Sequence, residues 1–160
     1  MSRIRTELKW AFLFIGMMLL WMVIERLAGL HDEHIGHHAV YTNLVAIPAI
    51  LIYCLALREK RAKDYGGTMT YKQGFLAGAV ITLIVTVFTP LAQYITHTLI
   101  TPDYFANVSA YAVAEGQMTE AEAAEYFSLG NYIVQATVGA FVMGLVTSAI
   151  VAFFFRGPSR

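Results

Sequence analysis

Four long apolar runs constrain this chain more than any other feature. Residues 10–24 carry no charge, then meet Glu25 and Arg26 and stay mostly apolar to residue 30. Residues 40–57, 74–95 and 133–155 form the second, third and fourth runs, with Pro90 inside the third. About 20 apolar residues in an α-helix cross roughly 30 Å of hydrocarbon. Only helices and closed barrels satisfy every backbone polar group in lipid, and these runs lack the alternation of barrel strands. The expectation is an all-α membrane protein: one integral domain over residues 1–160, built as a four-transmembrane-helix bundle. Composition agrees: 14% of residues are charged, against roughly 25% in soluble domains, and mean hydropathy is +0.57. Arg3, Arg5 and Lys9 ahead of the first run imitate the start of a signal peptide, but no A-x-A-like site follows, so this run is expected to be retained as a span. Cys54 lies alone in an apolar run and is expected to serve as a small buried residue.

The formal net charge is zero, yet the charges are segregated. Arg3, Arg5 and Lys9 precede span one; Arg58, Lys60, Arg61, Lys63 and Lys72 fill the loop between spans two and three; Arg156 and Arg160 follow span four. Four spans put all ten on one side. The loop over residues 101–129 has no Lys or Arg but holds Asp103, Glu115, Glu120, Glu122 and Glu125. The positive-inside rule then predicts cytoplasmic termini and an outward-facing histidine loop. The basic run is expected to touch anionic lipid headgroups and needs no nucleic-acid partner.

Residues 101–129 should form a short interfacial helical hairpin between spans three and four. Thr101 before Pro102 predicts a cap and first turn, Gly116 a stop, and Thr119 with Glu122 a capping box for a second helix. Tyr104, Val108, Tyr111 and Ala112 would share a face of the first helix. The pair reads as an interfacial connector in preference to a lid. Gly66 and Gly67 should make a turn after the basic loop, and Thr70 should cap span three.

Polar residues gather at the outer third. Glu25 is 16 residues past Lys9, roughly 24 Å up the first span. Arg26, Asn43, Gln93, His97, Asn131 and Gln135 fall at similar depth, and nothing comparable is expected below. Glu25 and Arg26 are adjacent and cannot share a face; Asn43, Gln93 and His97 are the expected partners of Glu25. Thr82, Thr86, Thr89, Gln93 and His97 form one stripe along span three. It is expected to bond between helices, with Pro90 offering a hinge. Ala136, Ala140, Gly144, Ser148 and Ala152 recur at intervals of four along span four. That narrow face suits close packing, inside one chain or between copies.

The segment GLHDEHIGHH over residues 29–38 holds four of the five histidines. Three readings stand: a polar turn, a proton or pH function, and a metal site built on His31, His34 and His38 with Glu33 or His97. Gly36 argues against a helix through it, and no H-E-x-x-H motif is present. The polar turn is the preferred reading.

Several blocks carry a resemblance: GLHDEHIGHHAVYTN, RAKDYGGTMTYKQGF, TPLAQYI with PDYF, and YF-x4-YIVQ with MGLVTSAIVA. In order and spacing these resemble the bacterial membrane family known as domain of unknown function 4199, over nearly the whole chain. The resemblance implies a multi-pass protein of the bacterial inner (cytoplasmic) membrane and carries no activity with it. His34 and His37 stand outside that pattern, which weakens a metal role for the full cluster. The preferred functional expectation is a non-catalytic membrane component that forms an oligomer or joins a larger complex, with membrane lipid as its surroundings and no cofactor. The alternatives are a small proton-coupled carrier or channel using Glu25 and His97, and a metal-binding membrane protein using the histidine loop. No catalytic motif suggests an enzyme.

Overall fold

A computed structural model describes residues 4–157; Arg3 and Arg160, used above for orientation, lie outside them. The described chain is helical, with no strand. Helix α1 spans Arg5–Leu27, α2 Ile35–Tyr41, α3 Ala46–Asp64, α4 Tyr71–Ile95, α5 Tyr104–Ala114, α6 Glu120–Tyr126 and α7 Leu129–Phe155. A 3-10 turn at Thr42–Val45 joins α2 to α3, and a π-helical turn at Thr96–Ile100 extends α4. Four rods result, Arg5–Leu27, Ile35–Asp64, Tyr71–Ile100 and Leu129–Phe155, each long and apolar enough to cross a membrane. The chain thus has the architecture of a multi-pass membrane protein.

The rods outrun the apolar runs because the helical hydrogen-bond ladder continues through their polar ends. Two have 30 residues, about 45 Å at 1.5 Å per residue, close to the full bilayer thickness of roughly 40–45 Å. Gly36 does not break the second rod: α2 begins at Ile35, so the glycine occupies the first turn. A Cβ there would lie 2.9 Å from the Tyr111 hydroxyl, so its small size lets α5 pack closely. Thr70 and Gln73 form a capping box at the start of α4, after a turn in which Gly66 and Gly67 adopt positive φ. Thr119 and Glu122 form the second box, at α6. Thr101 does not cap α5. Asp103 occupies that position, and the Thr101 hydroxyl instead donates to the Thr96 carbonyl, closing the π turn.

Small residues set the tightest helix contact. A Cβ on Gly78 would lie 2.7 Å from Ser148 Cβ, and one on Gly144 2.5 Å from Thr82 Cγ2. Gly74 meets Ala152 in the same way, at 3.2 Å. The lower part of the span-four face therefore packs against α4 of the same chain. The core it helps form is modest: Ala11, Tyr53, Ala56, Leu57, Met69, Ile81, Val85, Val151 and Ala152. Cys54 is half-buried against it rather than fully enclosed. Leu27, Val87, Leu99 and Phe154 are exposed, as lipid-facing side chains should be where hydrocarbon is the solvent.

Among the described residues, contacts tie Lys9, Lys60, Arg61 and Lys63 together at the end opposite Arg26. Lys9 pairs with Glu59 at 2.7 Å and Lys63 with Glu59 at 2.8 Å. Arg61 donates to the Gly67 carbonyl, and the Gly157 amide to that of Met69. Lys60 departs from the expectation that the basic run touches lipid headgroups. It is 4% exposed and bridges Glu7 at 2.7 Å and Asp64 at 2.6 Å. Deeper, Thr82 of the span-three stripe does bond between helices, and it does so below the outer third, where no polar cluster was expected. The Tyr53 and Thr82 hydroxyls are 2.8 Å apart, with Ser148 3.4 Å from Thr82.

Candidate functional site

The end of α1 builds the site. Gly29, at φ +73°, reverses the chain, with Gly29 N–H bonded to Arg26 O and Leu30 N–H to Glu25 O. This left-handed closure is open to glycine without a Cβ penalty. It swings His31 back over the last turn of α1, onto Glu25. Helix α2 then starts at Ile35 and carries His38 to the same place.

Glu25 is 1% exposed and His31 3% exposed. Their Oε2 and Nε2 atoms are 3.1 Å apart, and His38 Nε2 approaches the same oxygen to 3.3 Å. The His38 approach is not aligned as a hydrogen bond, and His38 Nε2 and His31 Nδ1 have no hydrogen-bond partner. The Trp21 indole N–H holds the other carboxylate oxygen, Oε1. The Asn107 amide, from α5, donates to the His31 carbonyl at 2.9 Å. The Tyr104 hydroxyl lies 3.4 Å from His38 Nδ1 and 3.3 Å from the Tyr132 hydroxyl. Tyr104 is 5% exposed, and burial pushes its phenol well above the usual tyrosine range, so it stays neutral.

Tyr104 roofs the cluster. Its ring centroid is 5.2 Å from that of His31, 5.3 Å from His38 and 5.4 Å from His97. Helix α5 therefore acts as a cover over buried polar groups as well as a connector. His97 stacks on Phe105 at 4.3 Å, and its Nε2 lies 3.1 Å from Gln93 Oε1. It stays beside the carboxylate cluster and does not join it.

The expected partners of Glu25 were Asn43, Gln93 and His97; its contacts are instead His31, His38 and Trp21, with the Thr42 side chain also beside the carboxylate. Asn43 is exposed and donates to the Ala39 carbonyl. Asn131 donates to the Tyr126 carbonyl, and Gln135 is exposed. Arg26 points away from Glu25 and donates to the Ile100 carbonyl, tying α1 to the π turn. Among the three histidines considered for metal, His34 is exposed at the start of α2, so Glu25 replaces it in the set. Trp21 was visible as the residue four before Glu25, one helical turn below. Asn107 and Tyr104 had no such local signal, because their partners lie 76 and 66 residues away.

Glu25, His31 and His38 each offer one donor atom, and no two of these are more than 4.8 Å apart. Metal–nitrogen and metal–oxygen bonds of roughly 2.05 Å give a tetrahedral edge of about 3.3 Å. The two carboxylate–imidazole separations, 3.1 and 3.3 Å, match that edge already. Even an edge at the 4.8 Å limit closes by about 1.5 Å. The donor set thus fits a divalent ion of zinc type. Trp21 holds the oxygen such an ion would not use, and the Tyr104 hydroxyl lies beside His38 Nδ1, the ring nitrogen not counted among the donors.

The chain belongs to the family described as protein of unknown function (DUF4199), whose model matches residues 9–157. No curated protein and no solved structure matches it.

Proposed function

Starting from a family without a stated activity, we propose that this membrane protein binds a divalent metal ion of zinc type through Glu25, His31 and His38. One observation carries the reading: two imidazole nitrogens converge on one buried carboxylate oxygen at tetrahedral-edge distances. A buried carboxylate in a span is costly unless compensated, and an ion held by two neutral imidazoles compensates it. Tyr104, packed beside both imidazoles, would cover the held ion. When bound, the ion supplies a fixed positive charge and Lewis acidity there. The reading is of binding, with no reaction assigned.

The site's side of the membrane follows from charge. The described basic residues other than Arg26 gather at the opposite end, which supports cytoplasmic termini in a bacterial inner membrane and a metal site facing outward. Homo-oligomer formation or a membrane-protein partner draws less support than the sequence suggested, because Gly144, Ser148 and Ala152 pack within the chain and Ala136 and Ala140 line a cavity between its own spans. A proton-coupled path is also weakly supported. Below the cluster, the hydroxyls of Thr82, Thr86 and Thr89 donate to carbonyls of their own helix.

The test is metal content. Protein purified without chelator and dialysed against trace zinc should hold close to one equivalent by mass spectrometry of the element. Glu25→Gln, His31→Ala and His38→Ala should each lose it, and His34→Ala should keep it. Retention in the first three, or loss in His34→Ala alone, would place the ion elsewhere. Wild-type protein that takes up no zinc, cobalt or manganese would end the proposal.

A further inference from the structure

Below the metal ligands lies a cavity of about 450 Å³ lined by all four spans. It runs between residues 14–22 of α1, 45–53 of the second rod, 85–96 of the third and 136–147 of α7. Small side chains create it: Ala49, Ala92, Gly139 and Ala140 stand where larger residues would meet. A Cβ on Gly139 would find nothing within 4 Å, whereas one on Gly144, five residues on, would strike Thr82. The same helix thus goes from close contact to open space in little more than one turn.

From Val85 to Thr96 the wall rises 11 residues, about 16 Å at 1.5 Å per residue. One leaflet of hydrocarbon is about 15 Å deep, so the cavity matches the length of one acyl chain. Its walls are mostly aliphatic and methionine, and two of its polar side chains are bonded within the protein. Thr89 donates to the Val85 carbonyl, and the Tyr53 hydroxyl bonds Thr82. Gln93 and Thr96 stand together at the end nearest the histidines, with His97 bonded to Gln93. The size and the pattern, apolar with a few polar groups at one end, are those of a small-molecule site.

We infer that this cavity binds a single alkyl chain of a membrane amphiphile, with the polar head at the level of Gln93 and His97. The chain enters from the hydrocarbon, where alkyl groups are the abundant species, and its head reaches the layer in which Tyr104 covers the Glu25 cluster. This site is separate from the metal ligands and does not require them.

The experiment uses the full chain, purified in a non-lipid detergent and studied by native mass spectrometry with two probes, oleic acid and a monoacyl phosphatidylethanolamine. One saturable adduct per chain is expected. Adduct with oleic acid alone identifies a free acid, with the phospholipid alone a membrane lipid, and with both a site that reads the chain. Gly139→Leu and Ala92→Leu fill the space and should lose the adduct; Val138→Phe, on the exposed face, should keep it. Two filling variants on different helices guard against one failing to fold. His31→Ala should keep the adduct too, which separates this result from that of the metal site. No adduct with either probe, unsaturable adducts, or equal binding by the filled variants would overturn the inference.

Discussion

Gly78→Ala tests the packing argument most sharply. The new methyl would sit 2.6 Å from Ser148 Oγ, 2.7 Å from Ser148 Cβ and 3.2 Å from Ser148 Cα. Carbon atoms at rest stand about 3.5–4.0 Å apart, so α4 and α7 must part by roughly 1 Å. A rotamer change does not relieve the strain, because Cβ and Cα of Ser148 belong to the backbone frame. Overpacking costs about 1–3 kcal/mol, while alanine in place of glycine inside a helix returns about 1 kcal/mol. The net expectation is a loss of up to about 2 kcal/mol, or roughly 4–8 °C in Tm for a chain of this size. The same change at Gly139, where nothing lies within 4 Å of the new methyl, should keep only the helix-propensity gain and raise stability by about 1 kcal/mol. Thermal unfolding in one detergent, followed by circular dichroism, compares the two. Adding Ser148→Gly to Gly78→Ala should recover much of the loss. Equal effects at Gly78 and Gly139, or no recovery in the double variant, would refute the claim that α4 and α7 meet at these residues.

Other outcomes follow from the same contacts. If Glu25, His31 and His38 bind zinc, the ion at a hundredfold excess over its Kd should stabilise the folded chain by about 2.7 kcal/mol; the shift should be seen in wild type and absent in His38→Ala. Lys60→Met strands the buried Glu7 carboxylate and should cost about 3 kcal/mol, whereas Lys63→Met, at an exposed pair, should leave the melting curve unchanged. At α6, the Thr119 backbone N–H and hydroxyl hold the Glu122 carboxyl below its usual range. A depressed carboxyl stabilises the folded state above its unfolded value and loses that contribution as pH falls through the folded one. Amide-exchange protection of α6 should therefore be constant near neutrality and decline once pH drops below about 4.5; protection that rises on acidification would contradict the capping box.

Much of this architecture was written in short stretches of chain. Hydropathy over about 20 residues determined the four spans, since lipid accepts only helices or closed barrels. The two capping boxes, Thr70 with Gln73 and Thr119 with Glu122, follow from three-residue spacings. That Glu25 and Arg26 point in different directions follows from their adjacency. All depend on neighbours in sequence and on the surrounding solvent, so no knowledge of packing was needed. Which groups Glu25 would meet was another matter. His31 reaches it only through the reversal at Gly29, His38 only because α2 starts one residue before Gly36, and Tyr104 only because α5 folds back across the top. The inward turn of Lys60, the Tyr53–Thr82–Ser148 contact and the cavity beside Gly139 likewise arise from how four rods lean on one another. Tertiary packing alone decided these, because they bring together side chains remote along the chain, and no local periodicity encodes such a meeting.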